Sequence, residues 1–262
     1  MKSTDATRLI AFSLYGNDSI YLVGALENAR LARDVYPRWT ARFYVSQEIS
    51  EDLIKDLAMN GAEIRRMTRR GVADGMLWRL LAADEMQAEA VIFRDVDSRI
   101  STREALAVDE WLSSNTRFHV MRDHPRHNSP IMGGMWGLIP GSLPPISTLI
   151  RKWRLRRFVG YKVGPDGWGL DQTFLRSSVY PIARDDAMIH SEFVRFEGET
   201  VRPFPAPPAE GEFVGQIVRA DGSVDRNGIS IRAEHGGVFD AGPVPGLDPL
   251  SRAQRLVSRL WK

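Results

Sequence analysis

The chain has 262 residues, of which 43 % are hydrophobic and 26 % are charged, so it is long enough to bury a sizeable core. Its net charge of +2 creates no overall field toward nucleic acid, and we expect no nucleic-acid partner. The absence of cysteine excludes disulfides, thiolate metal sites and a cysteine nucleophile. Residues 1–8 lack the apolar run of a signal peptide, and no stretch has transmembrane length. We therefore expect a cytoplasmic protein that is free to associate with a membrane surface.

The first part of the chain alternates strand-like and helix-like segments. Residues 9–14 are an apolar run followed by Gly16, which predicts a buried strand and then a loop. Residues 19–36 carry apolar side chains at helical spacing and end before Pro37. The next strand, helix and strand are predicted at residues 41–45, 50–60 and 62–67.

The middle of the chain continues this alternation. Helices are predicted at residues 76–86 and 102–112, and strands at 90–93 and 118–121. A β-α-β order of this kind predicts a parallel sheet covered by helices. Ligands of such sheets bind beyond the carboxyl ends of the strands. The loop after the first strand and the acidic cluster after the fourth both lie there, so two distant parts of the sequence point to one crevice.

The second half is less regular. Residues 131–139 are rich in glycine and methionine, and residues 146–158 and 169–179 are predicted to be helical. Residues 201–208 are rich in proline and predict an exposed connection. Residues 213–231 have the composition for two short strands. The sequence shows no internal repeat.

Two carboxylates directly follow the most strand-like segment of the chain. Asp95 and Asp97 lie on the same side of an extended backbone, whereas Val96 between them faces the core. Two such oxygen ligands can share a divalent cation, which can also hold a diphosphate. The spacing alone is common in surface loops, so the position at the end of the strand is what favours a metal site.

Several segments resemble nucleotide-sugar-dependent glycosyltransferases of the GT-A fold, in particular bacterial enzymes that build capsule or lipopolysaccharide glycans. The resemblance extends over roughly residues 8–190. It implies a GT-A-like, Rossmann-type α/β fold with a mixed, mainly parallel sheet flanked by helices and a less regular C-terminal part. The segments that carry it are MLWRLLAAD at 76–84, VIFRDVDSR at 91–99, GALENAR at 24–30, MRDHP at 121–125, GGMWG at 133–137 and GLDQTFL at 169–175.

The resemblance implies roles for several residues around the acidic pair. Asp95 and Asp97 would hold Mn²⁺ or Mg²⁺ together with the donor diphosphate. Arg79 would face the nucleotide or its phosphates, unless its side chain merely extends along a helix surface. Tyr15, in the loop after the first strand, would hold the base. His190 would supply a third metal ligand, and its alternative is a hydrogen-bonded surface histidine.

Asp171 opens a predicted helix, where an acidic residue caps the first turn. By resemblance, an acidic residue at the start of the corresponding helix lies next to the acceptor. In an inverting enzyme it would be the general base that deprotonates the attacking hydroxyl. In a retaining enzyme it would orient the acceptor or stabilise positive charge on the sugar.

Other residues are candidates for contact with a sugar. His124 and His127 lie in a polar loop that either contacts sugar or phosphate or is simply solvated. Gly134 allows the backbone to approach a ligand closely. Trp136 and Trp168 are suited to stacking on the apolar face of a sugar, although core packing is the commoner fate of a lone aromatic residue.

Two segments are strongly basic. Residues 151–157 form a dense positive run, for which nucleic acid, anionic lipid, a phosphate-bearing acceptor and plain solvent are all open partners. Residues 250–262 place apolar side chains on one side of a helix and basic ones on the other, with no acid between them. This pattern favours a helix lying on an anionic membrane surface, and the alternative is a terminal helix packed on the domain.

Together these features predict a metal-dependent glycosyltransferase. Its acceptor would be a glycan or lipid-linked glycan of a surface-polysaccharide or lipopolysaccharide pathway, on the cytoplasmic side of the membrane. We expect a catalytic domain at residues 1–200 and an extension at 201–262 that packs on it. The alternatives are a nucleotidyltransferase, for which the glycine-rich signature near the first strand is missing, and a sugar- or membrane-binding module without catalysis.

Overall fold

A computed structural model describes residues 7–68, 72–158, 169–224 and 237–244. The helices are α1 (Ser19–Val35), α2 (Glu51–Met59), α3 (Val72–Trp78), α4 (Thr102–Leu112), α5 (Ile146–Phe158), α6 (Leu170–Phe174) and α7 (Tyr180–Ala183). The strands are β1 (Arg8–Leu14), β2 (Trp39–Val45), β3 (Glu63–Arg66), β4 (Ala90–Arg94), β5 (Phe118–Arg122), β6 (Met135–Leu138), β7 (Ala187–Ser191), β8 (Val194–Arg195) and β9 (Phe239–Asp240).

The first seven strands form one sheet in the order β3-β2-β1-β4-β6-β5-β7. All neighbouring pairs are parallel except those of β6, which is antiparallel to both β4 and β5. The predicted α/β class, with a mixed and mainly parallel sheet flanked by helices, is confirmed. The strand β6 was not predicted, because it lies inside the segment rich in glycine and methionine.

Both faces of the sheet are buried, as its apolar strands require. Leu9 and Ala11 of β1 belong to one hydrophobic cluster, which includes side chains of α5 and α6. Ile10 and Phe12 belong to a second cluster, which includes side chains of α1 and α4. Alternate residues of a strand point to opposite faces, so the sheet is the middle layer of a three-layer structure.

Two predicted helices differ from the observed ones. The segment predicted at 76–86 is helix α3 followed by a 3-10 turn (Arg79–Asp84). The helix predicted at 169–179 is α6 followed by one π-helical turn (Leu175–Val179). Both irregular turns lie close to residues that line the cavity described below. None of the helices in the described ranges is long and apolar enough to cross a membrane.

Residues after 200 are attached to the sheet through backbone hydrogen bonds. Arg202 N donates to Ile189 O at 3.0 Å, and Val218 N donates to Asp97 O at 2.8 Å. Of the two strands predicted at 213–231, the described part contains only isolated bridges, such as the one between Val218 and Val224. The division at residue 200 stays a prediction, and the basic helix predicted at 250–262 lies outside the described residues.

Candidate active site

A cavity of about 510 Å³ opens beyond the carboxyl ends of β1 and β4. Five residues that were predicted from the sequence line it together: Tyr15, Arg79, Asp95, Asp97 and Asp171. They come from four separate parts of the chain. The carboxyl ends of the parallel strands β1 and β4 meet at the same edge of the sheet, which is why these distant residues converge.

Arg79 lies at the centre of this group. Its Nη1 is 2.7 Å from Asp95 Oδ1, its Nη2 is 2.7 Å from Asp171 Oδ2, and its side chain is only 6 % exposed. Its backbone N–H donates to Ser13 Oγ at 2.9 Å, which fixes the start of the 3-10 turn against β1. Burial alone would lower the pKa of Arg79, but the carboxylates of Asp95 and Asp171 outweigh it and raise the pKa. Arg79 therefore does not extend along a helix surface but bridges two carboxylates.

The acidic pair has unequal surroundings. The Asp95 side chain is 43 % exposed toward the cavity, with one oxygen held by Arg79. Asp97 is more enclosed, and burial, followed by the nearby negative charge of Asp95, raises its pKa to about 6. The raised pKa of Asp97 marks a site with excess negative charge, which a cation would relieve.

The backbone of the acidic segment is held from helix α1. Asn28 is completely buried, and its Nδ2 donates to Val96 O at 3.2 Å and to Ser98 O at 2.7 Å. Its Oδ1 accepts from Ile100 N at 3.1 Å. One turn earlier, a Cβ added to Gly24 would lie 1.9 Å from Val96 O, so only glycine allows the helix to approach this closely. The segment GALENAR thus serves to position the acidic pair.

The glycine pair after the 123–127 loop packs against two of the carboxylates. A Cβ on Gly133 would lie 1.9 Å from Asp171 Oδ2, and one on Gly134 would lie 2.2 Å from Asp95 Oδ2. Gly134 was predicted to let the backbone approach a sugar. The structure shows instead that its missing side chain makes room for Asp95, while its carbonyl accepts a hydrogen bond from Arg94.

Asp171 is in the first turn of α6, which begins after Gly169 at φ 72°. Its Oδ1 accepts from Gln172 N at 2.8 Å, and its Oδ2 is paired with Arg79. Burial raises the pKa of Asp171 against the opposing effect of Arg79. The predicted first-turn position is observed, and the carboxylate also lines the cavity.

His190 is not part of this site. It lies on β7, which is three interstrand spacings, or about 14 Å, from β4. Its Nδ1 is 2.8 Å from His119 Nε2 and its Nε2 is 3.2 Å from Glu110 Oε2, so both ring nitrogens have partners. The prediction that His190 joins the acidic pair as a metal ligand is wrong. Among the described residues, no group of three or more metal-ligating side chains occurs.

The structure also shows where three further candidate residues lie. Trp136 is 1 % exposed and stacks on Phe93 with ring centroids 4.3 Å apart, so it belongs to the core and does not offer a face to a sugar. His124 is buried against Phe213, at 4.6 Å between ring centroids, and does not line the cavity. His127, three residues later, does line it. Trp168 lies outside the described residues.

The lining residues that the sequence did not single out include Tyr21, Gly215 and Ile217. Tyr21 was recognisable in principle, because the first turn of a helix that follows β1 faces the same crevice as the strand end. Gly215 and Ile217 carried no signal, since they belong to an irregular segment far along the chain. Their position depends on the hydrogen bond from Val218 N to Asp97 O.

No protein-family model matches the chain, and no curated protein sequence matches it. A glycosyltransferase involved in glycosylation of the major capsid of PBCV-1 superposes with a TM-score of 0.46 at 15 % identity, over 71 % of this chain and 81 % of that one. Glucosyl-3-phosphoglycerate synthase from Mycobacterium tuberculosis, in complex with Mn²⁺, UDP and glucosyl-3-phosphoglycerate, gives 0.43 at 12 % identity, over 78 % and 73 % of the chains.

A third similar structure is 4-diphosphocytidyl-2C-methyl-D-erythritol synthase from Anaerococcus prevotii DSM 20548. It has a TM-score of 0.42 at 12 % identity, over 71 % of this chain and 87 % of that one. Similarities this remote do not identify a family, so the chemistry of the site has to be argued from its own residues.

Proposed function

We propose that the chain is a divalent-metal-dependent glycosyltransferase, which moves a sugar from a nucleotide-sugar donor to a hydroxyl of a glycan acceptor. The observation that carries the proposal is the position of Asp95 and Asp97, which line the cavity at the carboxyl end of β4 beside Arg79 and Asp171. The cavity is large enough for a nucleotide sugar, and its charges suit a metal and a diphosphate.

The charges of the described lining residues support a divalent cation. Three carboxylates (Asp95, Asp97 and Asp171) and one guanidinium (Arg79) give a formal charge of −2. Asp95 and Asp97 would hold Mn²⁺ or Mg²⁺, both of which accept carboxylate oxygens and keep further positions for phosphate and water. Such an ion supplies positive charge where the leaving diphosphate becomes more negative.

The wall formed by β1 and α3 suits the nucleotide. Tyr15 packs edge-on against Trp78, with ring centroids 6.0 Å apart. A Cβ on Gly75 would lie 2.4 Å from the Tyr15 ring, so this glycine lets the ring sit against α3. Burial raises the pKa of Tyr15, so its hydroxyl stays protonated and is able to donate a hydrogen bond. We propose that Tyr15 contacts the base, as the resemblance implied.

Asp171 is the proposed residue on the acceptor side of the reaction. Its carboxylate is 8 % exposed, lines the cavity and is held in place by Arg79. In this position it is able to accept a hydrogen bond from the attacking hydroxyl. As a general base it would take that proton as the new glycosidic bond forms. In a retaining reaction it would orient the same hydroxyl.

We further propose that the acceptor belongs to surface-polysaccharide or lipopolysaccharide synthesis at the cytoplasmic face of the membrane. This part rests on the resemblance in sequence and on the basic, amphipathic pattern of residues 250–262. Deleting these residues should weaken binding to vesicles that contain phosphatidylglycerol. Equal binding of the full-length and shortened proteins would remove the membrane assignment without affecting the reaction.

The proposed reaction is tested by thermal unfolding with UDP, GDP, CDP and dTDP, each with and without Mn²⁺, followed by turnover of the matching nucleotide sugars. We expect one nucleotide class to stabilise the protein only with the metal, and its sugar donor to release the nucleoside diphosphate. Asp95→Asn and Asp97→Asn should lose both effects. Asp52→Asn is the matched control, since this carboxylate is 91 % exposed on α2.

Three outcomes would contradict the proposal. Release of pyrophosphate from a nucleoside triphosphate and a sugar phosphate would make the chain a nucleotidyltransferase. Full metal-dependent turnover in both acidic-pair variants would remove Asp95 and Asp97 from the mechanism. Stabilisation by saccharides alone, without any nucleotide effect, would favour a binding module.

A further inference from the structure

Part of the cavity lining has no role assigned to it so far. We call it the C-terminal wall and define it by its lining residues His127, Met132, Met135, Gly215 and Ile217. Four of these five residues offer only apolar or backbone surface, and His127 is the one with a polar side chain.

The C-terminal wall is fixed to the rest of the site. Val214 N donates to Asp123 Oδ2 at 3.0 Å, which joins the irregular segment to the loop that carries His127. Val218 N donates to Asp97 O, which places the same segment beside the acidic pair. A Cβ on Gly215 would lie 2.6 Å from the Met135 sulfur, so the glycine backbone packs directly over that side chain. Hydrogen bonds therefore fix the C-terminal wall at two points, to Asp123 and to Asp97.

His127 presents a hydrogen-bond donor of fixed position. The backbone N–H of Asp123 donates to His127 Nδ1 at 3.0 Å. A ring nitrogen that accepts a hydrogen bond carries no proton, so the proton of the neutral ring is on Nε2. Burial, and then the neighbouring charges of His124, Arg94 and Arg122, lower the pKa of His127 to about 3. The ring is thus neutral near pH 7, and Nε2–H is its only donor.

This combination fits a sugar ring. A pyranose has apolar C–H faces and hydroxyl groups at its edge, and it carries no charge. Apolar side chains with a few placed polar groups are the usual lining of a small-molecule site. The wall offers Ile217 and the half-buried Met132 to the C–H face and a neutral N–H to a hydroxyl oxygen. Ile217 is also 49 % exposed, which leaves the mouth of the cavity beside it open to a longer glycan.

We propose that the C-terminal wall is the subsite for a neutral pyranose unit of the acceptor, with His127 Nε2–H donating to one of its hydroxyl oxygens. The assignment rests on the proposed function, in which the donor nucleotide occupies the part of the cavity beside Tyr15. The acceptor hydroxyl would then approach the carboxylates from the C-terminal wall, and Asp171 lines the same cavity.

The test uses saturation-transfer NMR on the full chain with Mg²⁺ and a nucleoside diphosphate. The probes are the methyl pyranosides of glucose, galactose, mannose, rhamnose and N-acetylglucosamine. We expect at least one of them to bind at millimolar concentration. His127→Asn should weaken that binding about tenfold, because its shorter amide keeps an acceptor for the Asp123 amide but places no donor at the position of Nε2. His127→Gln, which restores an N–H near the position of Nε2, should recover most of the affinity.

His124→Asn is the matched control. His124 is also buried and its Nδ1 also accepts a backbone hydrogen bond, from Arg126 N at 3.0 Å, but it does not line the cavity. This variant should bind the pyranoside as the wild type does. A loss in His124→Asn with no change in His127→Asn would overturn the assignment, and so would a wild-type protein that binds none of the probes.

A further comparison separates the acceptor subsite from a donor-sugar subsite. The bound methyl pyranoside should remain when the nucleoside diphosphate is replaced by the intact nucleotide sugar. Displacement by the sugar of the donor would overturn the acceptor assignment. The metal-dependent stabilisation by nucleotide should be equal in the wild type and His127→Asn, so failure of the subsite is distinguishable from failure of the proposed function.

Discussion

Replacing Asn28 tests whether helix α1 holds the acidic pair in place. Asn28→Ala removes three buried hydrogen bonds, to Val96 O, Ser98 O and Ile100 N. At about 1 kcal/mol each, the loss is about 3 kcal/mol of unfolding free energy. For a chain of this size the melting temperature should fall by roughly 6–12 °C. Since these bonds fix the backbone on both sides of Asp97, the variant should also bind Mn²⁺ more weakly.

The assay is thermal unfolding at increasing Mn²⁺ concentration, which measures stability and metal affinity in one experiment. Asn28→Asp is a second, nearly isosteric variant. It keeps the acceptor for Ile100 N but turns a carboxylate oxygen toward two carbonyls, and it should be at least as destabilising. Asn60→Ala is the control, because Asn60 Nδ2 makes one hydrogen bond, to Asp56 O at 2.8 Å, at the end of α2. Unchanged Mn²⁺ affinity in both Asn28 variants would refute this reasoning.

Three further predictions concern the same cavity. Gly134→Ala should abolish turnover in a folded protein, because its Cβ would lie 2.6 Å from Asp95 N; circular dichroism and a turnover assay check this. Arg79→Met should lower the free energy of unfolding, measured in urea, by about 3 kcal/mol. This is the lower end of the range for a buried ion pair, because Asp95 is half exposed. Adding Asp171→Asn to Arg79→Met should recover part of the lost stability. Burial and Asp95 raise the pKa of Asp97 to about 6, so Mn²⁺ affinity measured by calorimetry should fall below pH 6, where this ligand becomes protonated. Without metal, the stability of the fold should fall as pH rises toward 6, because the folded state binds this proton more tightly than the unfolded state does. A flat affinity between pH 5 and 7 would contradict the last prediction.

The sequence was most informative where local pattern and chain order agree. The apolar run of β4 and the two aspartates after it predicted both a buried strand and the edge on which Asp95 and Asp97 lie. The position of the loop that carries Tyr15 followed from the same rule applied to β1. These predictions succeeded because side-chain alternation and the end of a strand are local properties of the chain.

The sequence did not predict which residues pair with each other across the cavity. Arg79 and Asp171 are 92 residues apart, and their ion pair exists because the 3-10 turn and the start of α6 meet over Gly133. The two histidines around Pro125 were equivalent in sequence. The turn between them decides that His127 faces the cavity, while His124 packs on Phe213.

The sequence by itself therefore determined the α/β class, the helices and strands that flank the acidic pair, and the edge of the sheet where Asp95 and Asp97 lie. Only the tertiary structure decided which residues share that edge. It placed β7 beside β5, which separates His190 from the acidic pair, and it brought the segment of Gly215 and Ile217 beside Asp97. The physical reason is that periodicity fixes the face on which a side chain lies, whereas strand order and long-range hydrogen bonds fix its neighbours.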